Sequence, residues 1–201
     1  MTRKTDFGDR APALPGATEG AAWQAPSGLA AEGVSGMDSL LEAKLWRNPC
    51  WFAFRVNYAA LRYNQPLYDW VRQSYDLSRP EYTVIYSLGI GGSRQASQIT
   101  HASGHPKNTL SRAIAKLEAR GLLRRDTSSG TGRKQLLSLT AQGHDLFDAT
   151  LPNFVEHERR MLSGITEDER ATLSRILAKV VLSSHDWPTE VAGAPTETDK
   201  E

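Results

Sequence analysis

The sequence predicts a mainly α fold carrying one small β-hairpin, and three observations lead there. Apolar residues recur at helical three-, four- and seven-residue spacings through several segments between residues 49 and 181. Two short strand-like runs, LLRRD and KQLLSL, flank the turn sequence SSGTGR. Charge is uneven: residues 87–140 hold nine Lys/Arg against two Asp/Glu, a net of +7, while residues 1–86 balance at nine and nine and residues 141–201 carry six against twelve.

Along the chain, residues 1–40 are rich in Ala, Gly, Pro, Ser and Thr (APALPGATEG, APSGLAAEGVSG), with too few large apolar side chains to offset the entropy of ordering them. A flexible arm is expected there, and residues 188–201 (PTEVAGAPTETDKE) should form a loose tail. The first helix is expected over residues 49–75, with Trp51, Phe54, Tyr58, Leu61 and Tyr68 on its stripe and a bend at Pro66. Ser78 followed by Glu81 has capping-box spacing and Pro80 suits a first turn, so a second helix runs to about Leu88, where GIGG stops it. A shorter helix covers residues 95–102. Gly104 breaks it, and another runs over residues 106–120 to Gly121.

After the hairpin, Thr140 can cap a helix through about Leu162, with Leu146, Leu151 and Val155 on one face and a kink at Pro152. Thr166 and Glu169 open the last helix, on which Leu173, Ile176, Leu177, Val180 and Val181 make an apolar stripe. Helix, turn, helix and hairpin in this order make residues 76–140 a winged helix-turn-helix domain. Residues 45–75 and 141–187 then supply N- and C-terminal helices forming a dimerisation region that would bury Trp46, Leu162, Ile165 and Trp187. These apolar residues could equally complete a monomer core.

The basic block has the charge of a surface for a polyanion, although charge alone is equally consistent with a solvated face. The segment HPKNTLSRAIAKLEARG is more informative. Leu110, Ile114 and Leu117 point one way at i, i+4 and i+7, leaving a small, polar or basic opposite side. Arg pairs bidentately with guanine and Asn with adenine, while Lys, Thr and Ser reach phosphates or base edges. The candidate DNA-contacting set is Pro106, Lys107, Asn108, Thr109, Ser111 and Arg112 on the helix, with Arg133 and Lys134 beside the Gly-rich tip. Double-stranded DNA is the expected partner.

The run TLSRAIAKLEARGLLRRDTSSGTGRKQLLSLTAQG resembles the recognition helix, wing and following helix start of MarR-type transcriptional regulators, in which LEARGL precedes an Arg-bearing wing and an LT-x-x-G turn. The likeness extends more weakly over residues 45–183. It implies a homodimer with interlocking terminal helices, a palindromic operator, and release of DNA by a small phenolic or aromatic-acid effector, hence a repressor. Two departures stand out. The wing reads TSSGTGRK, without an acid directly before Arg133 to hold that side chain, and the arm ahead of the first helix is longer than usual in the family.

For an effector, Trp51, Arg55 and Tyr58 lie near one another on the first helix and Tyr82 could close the same pocket, Arg55 taking a carboxylate and the rings stacking on an aromatic ligand. The alternative makes the aromatics core and Arg55 a surface or intersubunit ion pair. His101 and His105 share an i, i+4 spacing, but Gly104 between them ends the helix and no further ligand completes a metal set. GIGGS follows a helix, not a strand, and reads as a turn instead of a phosphate loop. The lone Cys50 cannot form an internal disulfide; it is a packing residue or an intersubunit redox switch.

No apolar run approaches a membrane span and the N-terminal MTRKTDFGDR lacks the apolar core of a secretory signal, so a cytoplasmic protein without membrane contact is expected. No nucleophile–base pair, metal set or cofactor loop marks an enzyme, and no cofactor is implied. A regulator is the leading reading. The alternative is a winged-helix module for protein contacts or nonspecific architectural DNA binding.

Overall fold

Asp38 is a helix cap, its carboxylate accepting from the amides of Leu40 and Leu41 at 3.0 Å each. The computed structural model describes residues 38–127 and 135–188. The expected arm ahead of residue 38, the wing tip and the tail beyond residue 188 lie outside these described residues. The chain divides into two compact units, Met1–Arg62 and Tyr63–Glu201.

In the first unit, Asp38 caps α1 (Ser39–Trp46), a helix the sequence reading missed. SLLEAKLW spreads its apolar residues around the axis and so offers no stripe to read. Helix α2 (Trp51–Tyr75) begins in this unit and continues into the second, running unbroken through Pro66. Of its expected stripe, Tyr58 and Leu61 are exposed, and the fully packed positions are Leu67 and Val71.

The second unit holds the core, which gathers Val71, Leu77, Tyr82, Ile85, Leu88, Ile99, Leu110, Ile114, Leu117, Leu137 and Phe154. Helix α3 (Arg79–Gly91) starts with the expected capping box, the Ser78 amide donating to Glu81 Oε2 at 2.7 Å. It ends at Gly92, whose φ of 70° few other residues tolerate. Helix α4 (Ala96–Ser103) closes on left-handed Gly104, and α5 (Lys107–Ala119) follows at once with Pro106 as its N-cap residue. Leu110, Ala113, Ile114 and Leu117 are the buried face of α5.

The hairpin pairs β1 (Leu123–Thr127) with β2 (Gln135–Leu139) in antiparallel register, Leu123 opposite Leu139. The loop after α3 adds a third edge. Arg94 exchanges both backbone hydrogen bonds with Leu137, at 3.1 and 2.8 Å.

Helix α6 (Ala141–Met161) also runs through its proline, Pro152. Its buried face is Phe147, Thr150 and Phe154, not the expected Leu146, Leu151 and Val155. Leu146 and Leu151 pack at the margin, and Val155 is 60% exposed. The aromatic face wins because Phe154 stacks on Tyr82, centroids 4.9 Å apart. The LTAQG turn has a steric reason. Thr140 donates to the Gly121 carbonyl at 2.6 Å and caps the Gly143 amide at 3.2 Å, drawing α6 so close that a Cβ on Gly143 would sit 2.1 Å from the Leu122 carbonyl oxygen. Helix α7 (Glu167–Leu182) opens with the expected Thr166–Glu169 box and leads into a short 3-10 turn, Ser183–Asp186.

Candidate nucleic-acid interface

With Leu110, Ala113, Ile114 and Leu117 turned into the core, helical geometry leaves Lys107, Asn108, Ser111 and Arg112 outside, and all four are exposed. Pro106 is exposed beside them and Thr109 is half-buried. Among the described residues, no hydrogen bond or ion pair engages the side chains of Lys107, Asn108, Ser111 or Arg112. Pro106 offers no side-chain acceptor, so no side chain caps the amides at the start of α5. This end of the helix therefore combines a positive dipole, two cations and two hydrogen-bonding side chains with nothing competing for them.

The remaining charges of the basic block are largely committed to the fold. Lys116 pairs with Glu81 at 3.3 Å, Arg125 with Glu118 at 2.9 Å and Arg124 with Asp126 at 3.0 Å. Arg120 donates to the carbonyls of Asp76 and Tyr75 at 2.7 and 2.9 Å. Arg94 donates to its neighbour's carbonyl, on Ser93, at 2.8 Å. The charge count thus separates into a scaffold set and a presented set, Lys107 and Arg112. Arg133 and Lys134 lie outside the described residues.

The wing root has its own polar strut. Ser138 donates to Asp126 Oδ2 at 2.7 Å, so the 2.7 Å contact between Ser93 and Ser138 must use the Ser93 proton. The Ser138 hydroxyl, with Arg124, holds the Asp126 carboxyl below its ordinary range. Asp126 is thus the acid of the wing strands, opposite Leu136 and engaged there by Ser138 and Arg124. The Ser93–Ser138–Asp126 set escaped the sequence reading, because Ser93 and Ser138 are 45 residues apart along the chain and meet only when Arg94 pairs with Leu137.

Of the expected effector residues, Trp51, Arg55 and Tyr58 belong to the first unit and Tyr82 to the second. Tyr82, read as a pocket wall, is a core residue: it has no exposed surface, its hydroxyl meets Thr150 Oγ1 at 2.8 Å, and burial pushes its pKa up to about 12. Arg55 donates to the Leu45 carbonyl at 2.6 Å and lies 5.0 Å from the ring centres of both Trp46 and Trp51. Tyr58 is 42% exposed. Cys50, weighed as a packing residue, is exposed. His105 Nε2 lies 3.4 Å from Thr83 Oγ1 and His101 is exposed. No group of three metal-ligating side chains occurs among the described residues. The helix expected to stop near Leu88 runs on through Gly89, Ile90 and Gly91, so of GIGGS only Gly92 and Ser93 lie beyond α3.

The sequence pattern of the MarR family matches residues 75–134, which span α3 to the wing. The HTH-type transcriptional regulator PecS of Dickeya dadantii is 33% identical over 115 residues, covering 56% of this chain and 69% of PecS. The chain belongs to the MarR family. Solved members have the same architecture. A MarR-family regulator from Silicibacter pomeroyi superposes with a TM-score of 0.61 at 25% identity, over 70% of this chain and 94% of its own. One from Listeria monocytogenes, complexed with 26mer DNA, gives 0.62 at 19% identity, over 67% of this chain and 89% of its own. This MarR-family chain is accordingly a non-enzymatic, DNA-binding transcription regulator with a winged helix. None of its described helices is long and apolar enough to cross a membrane.

Proposed function

We propose that the chain acts as a homodimeric repressor, reading a palindromic operator with α5 and the wing and releasing it when a small aromatic acid or phenol binds. The observation that carries the DNA reading is the face formed by Lys107, Asn108, Ser111 and Arg112, exposed and without intramolecular polar partners among the described residues. Lys107 and Ser111 lie one helical turn apart, as do Asn108 and Arg112, so the four form two adjoining rows that fit the major groove. Arg133 and Lys134 on the wing would add minor-groove or phosphate contacts. A second copy is favoured by α7, which buries none of its residues: Leu173 and Ile176, 39% and 51% exposed, share one face of the helix with half-buried Leu177 and Val180, an apolar strip that dimerisation would cover. Residues 45–75 and 141–187 are the proposed dimerisation helices. A two-fold dimer would offer its recognition helices to half-sites about 34 Å apart.

Selection from random duplexes followed by gel shifts at several salt concentrations tests the reading. Arg112→Ala or Asn108→Ala should relax preference at single base positions, by about 1–3 kcal/mol each, whereas Lys107→Ala should weaken all sequences alike and reduce the salt slope by about 1. Equal affinity of the intact protein for selected and random DNA would instead favour an architectural module. For the effector, titration of aromatic acids against wild type and Arg55→Ala is the direct measurement. Binding unchanged in the variant would remove Arg55 from the proposal.

A further inference from the structure

We infer that Arg120 is a positioning residue, which locks the recognition helix to the corner between α2 and α3 and so fixes the angle at which α5 is presented; the inference rests on the reading of α5 as the DNA-reading helix of a dimer. Arg120 is the arginine of LEARGL and the C-cap residue of α5. Its guanidinium points away from the groove-facing side, with Nη1 on the Asp76 carbonyl at 2.7 Å and Nη2 on the Tyr75 carbonyl at 2.9 Å. These carbonyls belong to the end of α2, where the last turn leaves acceptors without intrahelical partners and the helix dipole is negative. A planar fork that holds two successive carbonyls admits one orientation, which a lysine cannot impose.

The corner needs such a hold. Asp76, with φ of 52°, is the one non-glycine among the described residues in the left-handed region, at a position where helices usually end on glycine. The chain then reverses within three residues, through fully buried Leu77 to Ser78, the cap of α3. One turn earlier on α5, Lys116 pairs with Glu81, the carboxylate that caps the Ser78 amide. The recognition helix thus grips both sides of the corner: α3 through Lys116 and Glu81, α2 through Arg120. Among the described residues the Arg120 bonds are the polar link between the C-terminal part of α2 and the end of α5.

The test begins with the free protein. Cys50, the chain's single cysteine, is changed to Ser, and spin labels are attached at Gln73→Cys and Ala115→Cys, both exposed sites, with excess unlabelled protein so that only intrachain distances are read. The parent should give one narrow distance distribution, Arg120→Ala one at least about twofold broader, Arg120→Lys an intermediate width, and Lys116→Ala a width near the parent. Gel shifts then compare a palindrome selected by the wild type with a duplex carrying one half-site. Arg120→Ala should lose about tenfold or more on the palindrome with little change on the half-site, because the two recognition helices no longer engage together. An unchanged distance distribution overturns the inference whatever the DNA result. Equal losses on palindrome and half-site overturn it too, since a merely destabilised domain would weaken both. If the wild type selects no palindrome, the proposed function fails, while the distance measurement still decides whether Arg120 holds the corner.

Discussion

Replacing Gly143 by alanine should destabilise this protein, although the same change in an open helix is normally favourable. In a helix interior Ala is preferred to Gly by about 1 kcal/mol. Gly143 sits near the start of α6, where a Cβ would meet the Leu122 carbonyl oxygen at 2.1 Å and the Leu139 Cβ at 3.2 Å. Leu122 is buried and its carbonyl accepts the Thr140 amide at 3.1 Å, so no flexible side-chain end can yield. Either α6 moves by about 1 Å or the Thr140 cap opens; overpacking of this kind costs roughly 1–3 kcal/mol, and losing the cap about 1 kcal/mol more. After the helix-propensity gain the net loss is about 1–3 kcal/mol, or a fall in Tm of roughly 2–12 °C at this chain length. Gly164 supplies the control, since a Cβ there meets nothing within 4 Å. Differential scanning calorimetry at one protein concentration should show Gly143→Ala well below wild type and Gly164→Ala close to it. A Gly143→Ala protein melting at or above the Gly164→Ala control would refute the argument.

Three further outcomes can be measured. Thr150 donates to the carbonyls of Leu146 and Phe147, so the Tyr82 hydroxyl must donate to Thr150. Tyr82→Phe should therefore cost about 1 kcal/mol, Thr150→Val more because a buried donor is orphaned, and the double variant less than the sum, as read by urea unfolding. Glu156 is lowered from 4.5 to about 2, first by the hydrogen bond from Arg159 and then by that from Arg160. Its depressed carboxyl stabilises the fold above pH 4.5 and loses that contribution as pH falls towards 2; Glu156→Gln should flatten the acid limb at low salt, and added salt should shrink the difference. Ser138→Ala removes the donor to Asp126, and hydrogen exchange at Arg94 and Leu137 should then quicken while α7 is unaffected.

Local chemistry made much of this fold legible. The Ser78–Glu81 and Thr166–Glu169 boxes, the Gly104 and Gly121 stops and the Thr140 cap each act over a few residues, and each stands where the spacing places it. Facing was harder to read. On α6 the i, i+3, i+7 spacing joins Phe147, Thr150 and Phe154, whereas Val155 stands on the side opposite Leu146; the expected face followed the aliphatic residues, and the stacking of Phe154 on Tyr82 buries the aromatic one. The same packing turned Tyr82 from a pocket wall into core. Helix α1 escaped because its stability begins with the Asp38 cap and not with a stripe. In the interface, Lys107, Asn108, Ser111 and Arg112 could be found from the buried face opposite them. The division of the basic block could not be, since Glu81, Glu118 and the Tyr75 and Asp76 carbonyls meet their cations only in three dimensions.

The third edge of the wing has a consequence for how such a protein can change its target. Because Arg94 and Leu137 join the hairpin to the loop ahead of α4, and Ser93, Ser138 and Asp126 fasten it again, every residue of the frame that aims the wing lies outside the stretch between Thr127 and Gln135. The seven residues between them, 128–134, can then be exchanged as a cassette of new length or charge, leaving recognition-helix geometry and folding to a part of the molecule that the graft never touches.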